Sequence, residues 1–229
     1  MKGAGMMAVF NNIANQYDEW YSQKKGAFVD RVETDLAFGM LKLEPGMKVL
    51  DVGCGTGNFS MKLAEKGCIV TGIDVSEEML KVARRKAAEK SLSISYLRMD
   101  ATELGFDDGA FDVVLTMAAV EFIEDTDGAV EEMFRVVKNG GQVLIGTINA
   151  DSDWGEYYQT KKLQGNSIYR YAAFKTIGDL KEWNPDKLVR TGACLYVPPF
   201  ADEQEFTIER ERELSGKRRG GYVCALWRK

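Results

Sequence analysis

The sequence contains no histidine. The side chain most often used to move protons near neutral pH is therefore excluded, and any general base must be a carboxylate, tyrosine, lysine or thiolate. Its four cysteines, Cys54, Cys68, Cys194 and Cys224, form no C-x-x-C pair. Reduced thiols in a cytoplasmic protein are the simplest account of them, and no metal site is expected. No apolar run approaches the roughly 20 residues of a membrane span. The opening segment 1–7 carries one basic residue with no long apolar region behind it, so no secretory signal is expected. An excess of positive charge is also missing: the formal net charge is −5, which argues against a broad electrostatic grip on nucleic acid. The short basic cluster Lys217-Arg218-Arg219 follows an acidic run from Glu209 to Glu213 and reads as solvated surface or, less simply, as a partner site.

What is present is a chain of 229 residues, a length suited to one α/β domain with a substantial core. Its organising stretch is Val49-Leu50-Asp51-Val52-Gly53-Cys54-Gly55-Thr56-Gly57-Asn58-Phe59. An apolar run breaks into three alternate glycines and resumes at helical spacing, which predicts strand, tight turn and helix. Residues without Cβ let the backbone turn sharply and let a ligand lie on the main chain, while the helix that follows offers unpaired N–H groups. Dinucleotide folds use G-x-G-x-x-G at this place. Here the spacing is Gly-x-Gly-x-Gly with Asp51 ahead of it, which suits a ligand with a cationic end better than one with two phosphates.

This run resembles motif I of the class I S-adenosylmethionine (SAM) methyltransferases, and later segments resemble that family's ubiquinone/menaquinone-biosynthesis type (methyltransferase type 11). The resemblance covers roughly residues 8–149. It implies a Rossmann-like, doubly wound α/β sheet of seven strands, mostly parallel with an antiparallel last strand, and an N-terminal helical cap. The expected division is a cap over 1–44, a SAM-binding core over 45–149, and an insertion with closing strands over 150–229, all in one domain.

Phe10, Ile13, Ala14, Tyr17 and Tyr21 recur at helical intervals, which predicts one amphipathic helix from about 8 to 22. In the resembling family this segment folds over the cofactor pocket with the position of Tyr17 against the ligand; Tyr21 is a candidate for the substrate side and Trp20 for plain core packing. A second helix is predicted from Phe28 to Leu43, with Phe28, Val32, Leu36 and Met40 on one face. Strands are predicted at Lys48 to Asp51, Cys68 to Asp74, Ser93 to Met99, Phe111 to Thr116, Gln142 to Ile148, Lys187 to Val197 and Tyr222 to Trp227. Strand, helix and strand in succession imply right-handed parallel crossovers.

Asp74, closing the second strand, can accept two hydrogen bonds from a ribose diol. Val75 and Met79 supply apolar walls for an adenine. On the resemblance, Asp100 accepts from the adenine amino group, the Ala101 amide meets a ring nitrogen, and Gly53, Cys54, Gly55, Asn58, Met117 and Phe122 complete the cofactor contacts. Many relatives carry histidine about where Glu121 stands, so no histidine mechanism carries over. Glu121 is a candidate to deprotonate a substrate, to hold a cationic one, or to be an ordinary surface carboxylate. Trp154 and Tyr157, in the aromatic segment 151–174, are candidates for the substrate cavity or for ordinary packing.

The reaction implied is in-line displacement at the sulfonium methyl of SAM, with S-adenosyl-L-homocysteine (SAH) as product and a small molecule as acceptor. Alignment alone contributes about 7–11 kcal/mol, so no catalytic base is required. Neutral or anionic quinol-like, phenolic, amine and thiol acceptors all stay open, as do monomer and homodimer. A non-catalytic SAM-binding protein remains an alternative. An NAD(P)-dependent oxidoreductase fits less well, because the glycine spacing is wrong and no Tyr-x-x-x-Lys follows the fourth or fifth strand.

Overall fold

Residues 9–162 and 167–229 are described by a computed structural model. Seven strands form one sheet: β1 (Lys48–Val52), β2 (Ile69–Asp74), β3 (Ile94–Arg98), β4 (Phe111–Met117), β5 (Val137–Ile148), β6 (Leu188–Cys194) and β7 (Tyr222–Arg228), in the order β3-β2-β1-β4-β5-β7-β6. The pairs among β1 to β5 are parallel, and β7 runs antiparallel to both β5 and β6. This is the doubly wound arrangement that the sequence predicts, with the chain reversing direction across the sheet between β1 and β4.

Strand alternation explains why both faces are covered. Val49, Val113, Leu115, Leu144, Cys224 and Leu226 point into one buried cluster. Their chain neighbours Leu50, Val114, Val143, Ile145, Val223, Ala225 and Trp227 point into another on the opposite face. Strands buried on both sides read as continuous apolar runs, as these do. On the first face lies α2 (Lys24–Met40), which contributes Phe28, Val32 and Met40, together with Leu63 of α3 (Asn58–Glu65). On the second lies α5 (Thr126–Val136), through Val130, Met133 and Phe134. Between β2 and β3 runs α4 (Glu77–Glu89), capped by the Ser76 hydroxyl on the Met79 amide and packed through Leu80 and Ala83 against Tyr96.

Three expectations need correction. The N-terminal helix from 8 to 22 is not continuous: residues 9–13 are helical, a turn follows, and a short α1 (Glu19–Ser22) precedes α2. Asp18 stands at the N-cap of α1 but makes no capping bond, because its carboxylate is committed to the glycine loop. The second helix starts earlier and ends earlier than expected, at Lys24 and Met40. The sixth strand stops at Cys194, where Leu195 takes a left-handed backbone (φ 62°) and turns the chain away from the sheet. The aromatic segment after β5 contains α6 (Asp153–Lys162) and a 3-10 turn (Ile168–Tyr171). Two further short helices, α7 (Ile177–Glu182) and α8 (Ile208–Leu214), flank β6. All four cysteines are free and buried.

Candidate active site

Two cavities open at the carboxyl ends of the central strands, where a doubly wound sheet offers a crevice. The larger, of about 440 Å³, is walled by Ile73, Val75, Met79, Met99 and Phe122, with Asp74 and Asp100 among its polar groups. The smaller, of about 80 Å³, lies under the glycine loop beside Asp51, Asn58, Met117 and Tyr21. Tyr17, Gly53, Gly55 and Ala118 line both, so the two are parts of one site.

The glycine loop is fixed by its own hydrogen bonds. The amides of Gly53 and Cys54 both donate to the Ile73 carbonyl at 2.9 Å, tying the loop to the end of β2. Gly53, Gly55 and Gly57 all take positive φ, at 72°, 53° and 78°. A Cβ on Gly53 would stand 2.5 Å from the Ala119 side chain, and one on Gly57 2.3 Å from the Tyr96 hydroxyl, so both are required by packing. A Cβ on Gly55 would meet no protein atom within 4 Å. Gly55 is therefore bare toward the cavities, which is the cradle a ligand lying on the main chain needs.

Asp74 accepts from the Gly55 amide at 2.9 Å and from the Ser76 amide at 2.8 Å. Burial nevertheless raises its pKa from the ordinary carboxylate value. Asp51 is buried, accepts from the Ser60 hydroxyl at 2.5 Å, and is pushed up to about 6, chiefly by desolvation and then by the nearby Asp74 charge. Asp100 accepts from the Thr102 amide and hydroxyl, which folds the turn after β3 and sets Ala101 in the cavity wall. Ala118, just past β4, holds a left-handed backbone (φ 51°) that non-glycine residues rarely adopt. Its amide donates to the Tyr222 hydroxyl at 2.9 Å and to the Gly146 carbonyl at 3.0 Å.

A roof closes over this crevice. Phe10 meets Phe122 edge to face at 5.2 Å, and Ile13, Ala14 and Tyr17 pack on Met79 and Val82 of α4. The Ser76 hydroxyl donates to Asn11 at 2.6 Å. Asp18 accepts from Thr56 at 2.7 Å, from Asn58 at 3.0 Å and from the Lys86 ammonium at 2.5 Å. Asp18 and Asn11 were not singled out by the sequence, because side-chain bonds to partners far along the chain leave no local pattern.

All thirteen residues expected on the cofactor side line one cavity or the other: Tyr17, Asp51, Gly53, Cys54, Gly55, Asn58, Asp74, Val75, Met79, Asp100, Ala101, Met117 and Phe122. Of the substrate-side candidates, Tyr21 lines the smaller cavity. Glu121 is no surface carboxylate. It is 1 % exposed, accepts from the Thr147 hydroxyl at 3.1 Å through one oxygen, and has a second oxygen with no partner. Burial pushes it up to about 7. Trp154 lies outside both cavity linings, fully buried, with its indole N–H donating to the Val197 carbonyl at 2.8 Å; Tyr157 stacks edge on to it at 6.3 Å. Glu33 of α2, absent from the expected set, lines the smaller cavity.

The residues present suit SAM: a bare glycine cradle, a carboxylate for each polar end and an apolar slot of adenine-like character between them. Among the described residues no group of three or more acidic, histidine or cysteine side chains is placed to hold a metal, and no helix is long and apolar enough to cross a membrane.

Known proteins agree with this reading. Residues 50–145 match a family described as a methyltransferase domain. A ubiquinone biosynthesis O-methyltransferase of Coxiella burnetii is 38% identical over 173 residues, covering 72% of this chain and 73% of that protein. A protein of Methanocaldococcus jannaschii, described only as uncharacterized, is 31% identical over 176 residues, covering 77% of this chain and 78% of its own length. In fold, the chain superposes on a SAM-dependent methyltransferase of Thermotoga maritima, described as a possible histamine N-methyltransferase, with a TM-score of 0.75 at 24% identity over 98% of this chain and 99% of that one. The order of strands, the glycine cradle at the switch point and these relatives lead to one assignment: the chain belongs to the class I SAM-dependent methyltransferases.

Proposed function

We propose that the protein transfers the methyl group of SAM to a small-molecule acceptor held beneath the N-terminal roof. The observation that carries this reading is the pair of cavities sharing Tyr17, Gly53, Gly55 and Ala118 under residues 9–22. A roof tied down by Asn11 and Asp18 over the cavities favours a small ligand over a nucleic-acid strand, and the acidic balance points the same way.

When bound, SAM supplies an electrophilic methyl group on a cationic sulfur. The chain's own residues then have to hold, align and dry the reactants. In this reading Asp74 takes a ribose diol, Asp51 an ammonium, and Asp100 with the Ala101 amide an adenine edge. Val75, Met79 and Phe122 exclude water from the slot. Tyr17, between the two cavities, carries a hydroxyl whose pKa burial pushes up to about 12, so it stays protonated and serves as a neutral donor or ring wall rather than a base. The four free, buried thiols support a reducing, cytoplasmic setting.

Calorimetric titration with SAM, SAH and NADH tests the reading. Micromolar binding of the two adenosyl ligands with no NADH response is expected, followed by label transfer from methyl-labelled SAM into a metabolite extract. SAM binding with no transfer to any acceptor would make this a non-catalytic binder, and NADH binding alone would overturn the assignment of the site.

A further inference from the structure

We propose that the acceptor is an amine, recognised as a cation by Glu33 of the smaller cavity together with the buried carboxyl of Glu121, among tyrosine rings; this rests on the methyltransferase reading above.

The smaller cavity is lined by three carboxyls, Asp30, Glu33 and Asp51, and by no lysine or arginine. Two of these are accounted for. Asp30 is paired with Lys62 at 2.5 Å, and that ammonium also donates to Thr34 at 2.8 Å. Asp51 is held by Ser60 and stands at the glycine loop, where the single ammonium of SAM would lie. Glu33 is left over. Among the described residues its carboxylate has no hydrogen-bond or ion-pair partner, and it faces the cavity from α2, on the wall opposite the glycine loop.

The second observation is independent of the first. Glu121 arrives from the 3-10 turn after β4, 1 % exposed and outside both cavity linings, with one carboxylate oxygen that finds no hydrogen-bond partner among the described residues. A buried acceptor without a donor is costly, more so if charged, and such a cost is tolerated where a ligand removes it. Both carboxyls address the same ring system. The charge of Glu33 is felt at the Tyr17, Tyr21, Tyr158 and Tyr222 hydroxyls, and that of Glu121 at Tyr17, Tyr222 and Glu33 itself. The rings are close together: Tyr17 and Tyr21 lie 6.0 Å apart and Tyr158 and Tyr169 4.3 Å, and Tyr169 reaches back to Phe122 of the larger cavity at 6.2 Å.

Two unsatisfied carboxyls among aromatic faces make a receptor for a cation. Among the described residues no cation hydrogen-bonds to either carboxyl, although the Lys62 charge is felt at Glu33. Lys62 is committed to Asp30, and Lys25 turns to the Pro199 carbonyl between Trp154, Tyr157 and Phe206. An anionic acceptor would meet like charge here, with only the charge of Lys62, already paired with Asp30, in partial compensation. For an amine the reaction itself gains from the arrangement. The bound ammonium first loses one proton, to the Glu121 carboxylate or to water, which frees its lone pair; that pair forms the new N–C bond, the C–S pair stays on sulfur, the positive charge passes from sulfur to nitrogen, and a further N–H proton then leaves to water. Carboxylates fixed where positive charge develops lower the barrier.

The test uses the full chain and a cation that cannot be methylated. Benzyltrimethylammonium and p-cresol are titrated calorimetrically into the protein with and without SAH. We expect the cation to bind at least tenfold more tightly than the phenol, Glu33→Gln and Glu121→Gln each to weaken the cation at least tenfold, and the affinity for SAM to change less than twofold in Glu33→Gln. Tyramine, which offers both nucleophiles, is expected to give the N-methyl product by mass spectrometry. Equal binding of the two probes, an unaltered cation affinity in both variants, or O-methyl tyramine would overturn the amine assignment while leaving the methyltransferase intact. Failure of SAM and SAH to bind would instead remove the methyltransferase reading, and with it the acceptor role of Glu33 and Glu121.

Discussion

The Lys86 ammonium of α4 donates to the Asp18 carboxylate of the N-terminal roof at 2.5 Å, and both side chains also bond Asn58 at the start of α3. A single pair thus joins the roof, the glycine-loop helix and the helix after β2. It is also half-shielded, with side-chain exposures of 18% and 32%, so it is screened less than a surface pair.

Asp18→Ala is expected to free the roof without unfolding the sheet. Amide exchange over residues 9–22 should accelerate while β1, β4 and β5 keep their protection, and SAM affinity should fall roughly tenfold, about 1.4 kcal/mol. Exchange unchanged in the roof would mean that Phe10 and Asn11 hold it alone.

Gly55 and Gly57 should separate by mutation. Gly55→Ala carries a left-handed strain of roughly 1–2 kcal/mol but meets no protein atom, so the fold should survive while SAM affinity drops at least tenfold. In Gly57→Ala the new Cβ lies 2.3 Å from the Tyr96 hydroxyl, so Tm should fall first. Thermal melts paired with SAM titrations of both variants decide the matter.

Much of this site is legible in the sequence, for a physical reason. Cavity walls made by strand ends and the turns after them sit at fixed offsets from apolar runs, which is why Asp51, Gly55, Asp74 and Asp100 could be put at the crevice from spacing and resemblance. Glu33 could not. It follows Val32 on α2, beside the apolar stripe of Phe28, Val32, Leu36 and Met40, and only the docking of that helix on the sheet turns the carboxylate inward. The break in the N-terminal helix is hidden for a similar reason: helical spacing runs through it, and tertiary bonds to Asp18 override the local preference. Glu121 stood in the expected loop, but its burial depends on Thr147 of β5, which no local pattern reports.

Asp51 sets a pH limit on binding. Its carboxyl is pushed up to about 6, so below that it is protonated and cannot pair with an ammonium. SAM affinity should rise as pH increases through about 6 and level off near pH 7, with a tenfold loss for each unit on the acid side. In Asp51→Asn the affinity should be lower and flat. A wild-type profile without a step would detach Asp51 from the ammonium.

Glu121 should mark the stability of the ligand-free protein. Its folded pKa, about 7, lies above the ordinary value of 4.5, so the folded state binds the proton more tightly than the unfolded one. The stabilisation is complete below the unfolded value and is lost as pH rises through about 7, at about 1.4 kcal/mol per unit between the two. Relative to Glu121→Gln, the wild type should therefore lose Tm between pH 5 and pH 8. A constant difference across that range would place the carboxyl in a wetter setting.

The insertion of β7 between β5 and β6 also constrains how the chain reaches its final shape. Among the described strands β6 pairs with β7 alone, and β5 pairs with β7 along the edge that β4 leaves free. During synthesis the first five strands can therefore assemble with an open edge while β6, already made, waits without a seat. That interval exposes a strand edge and the apolar face that Val223, Ala225 and Trp227 later cover, a window in which pairing between nascent copies competes with completion of the sheet.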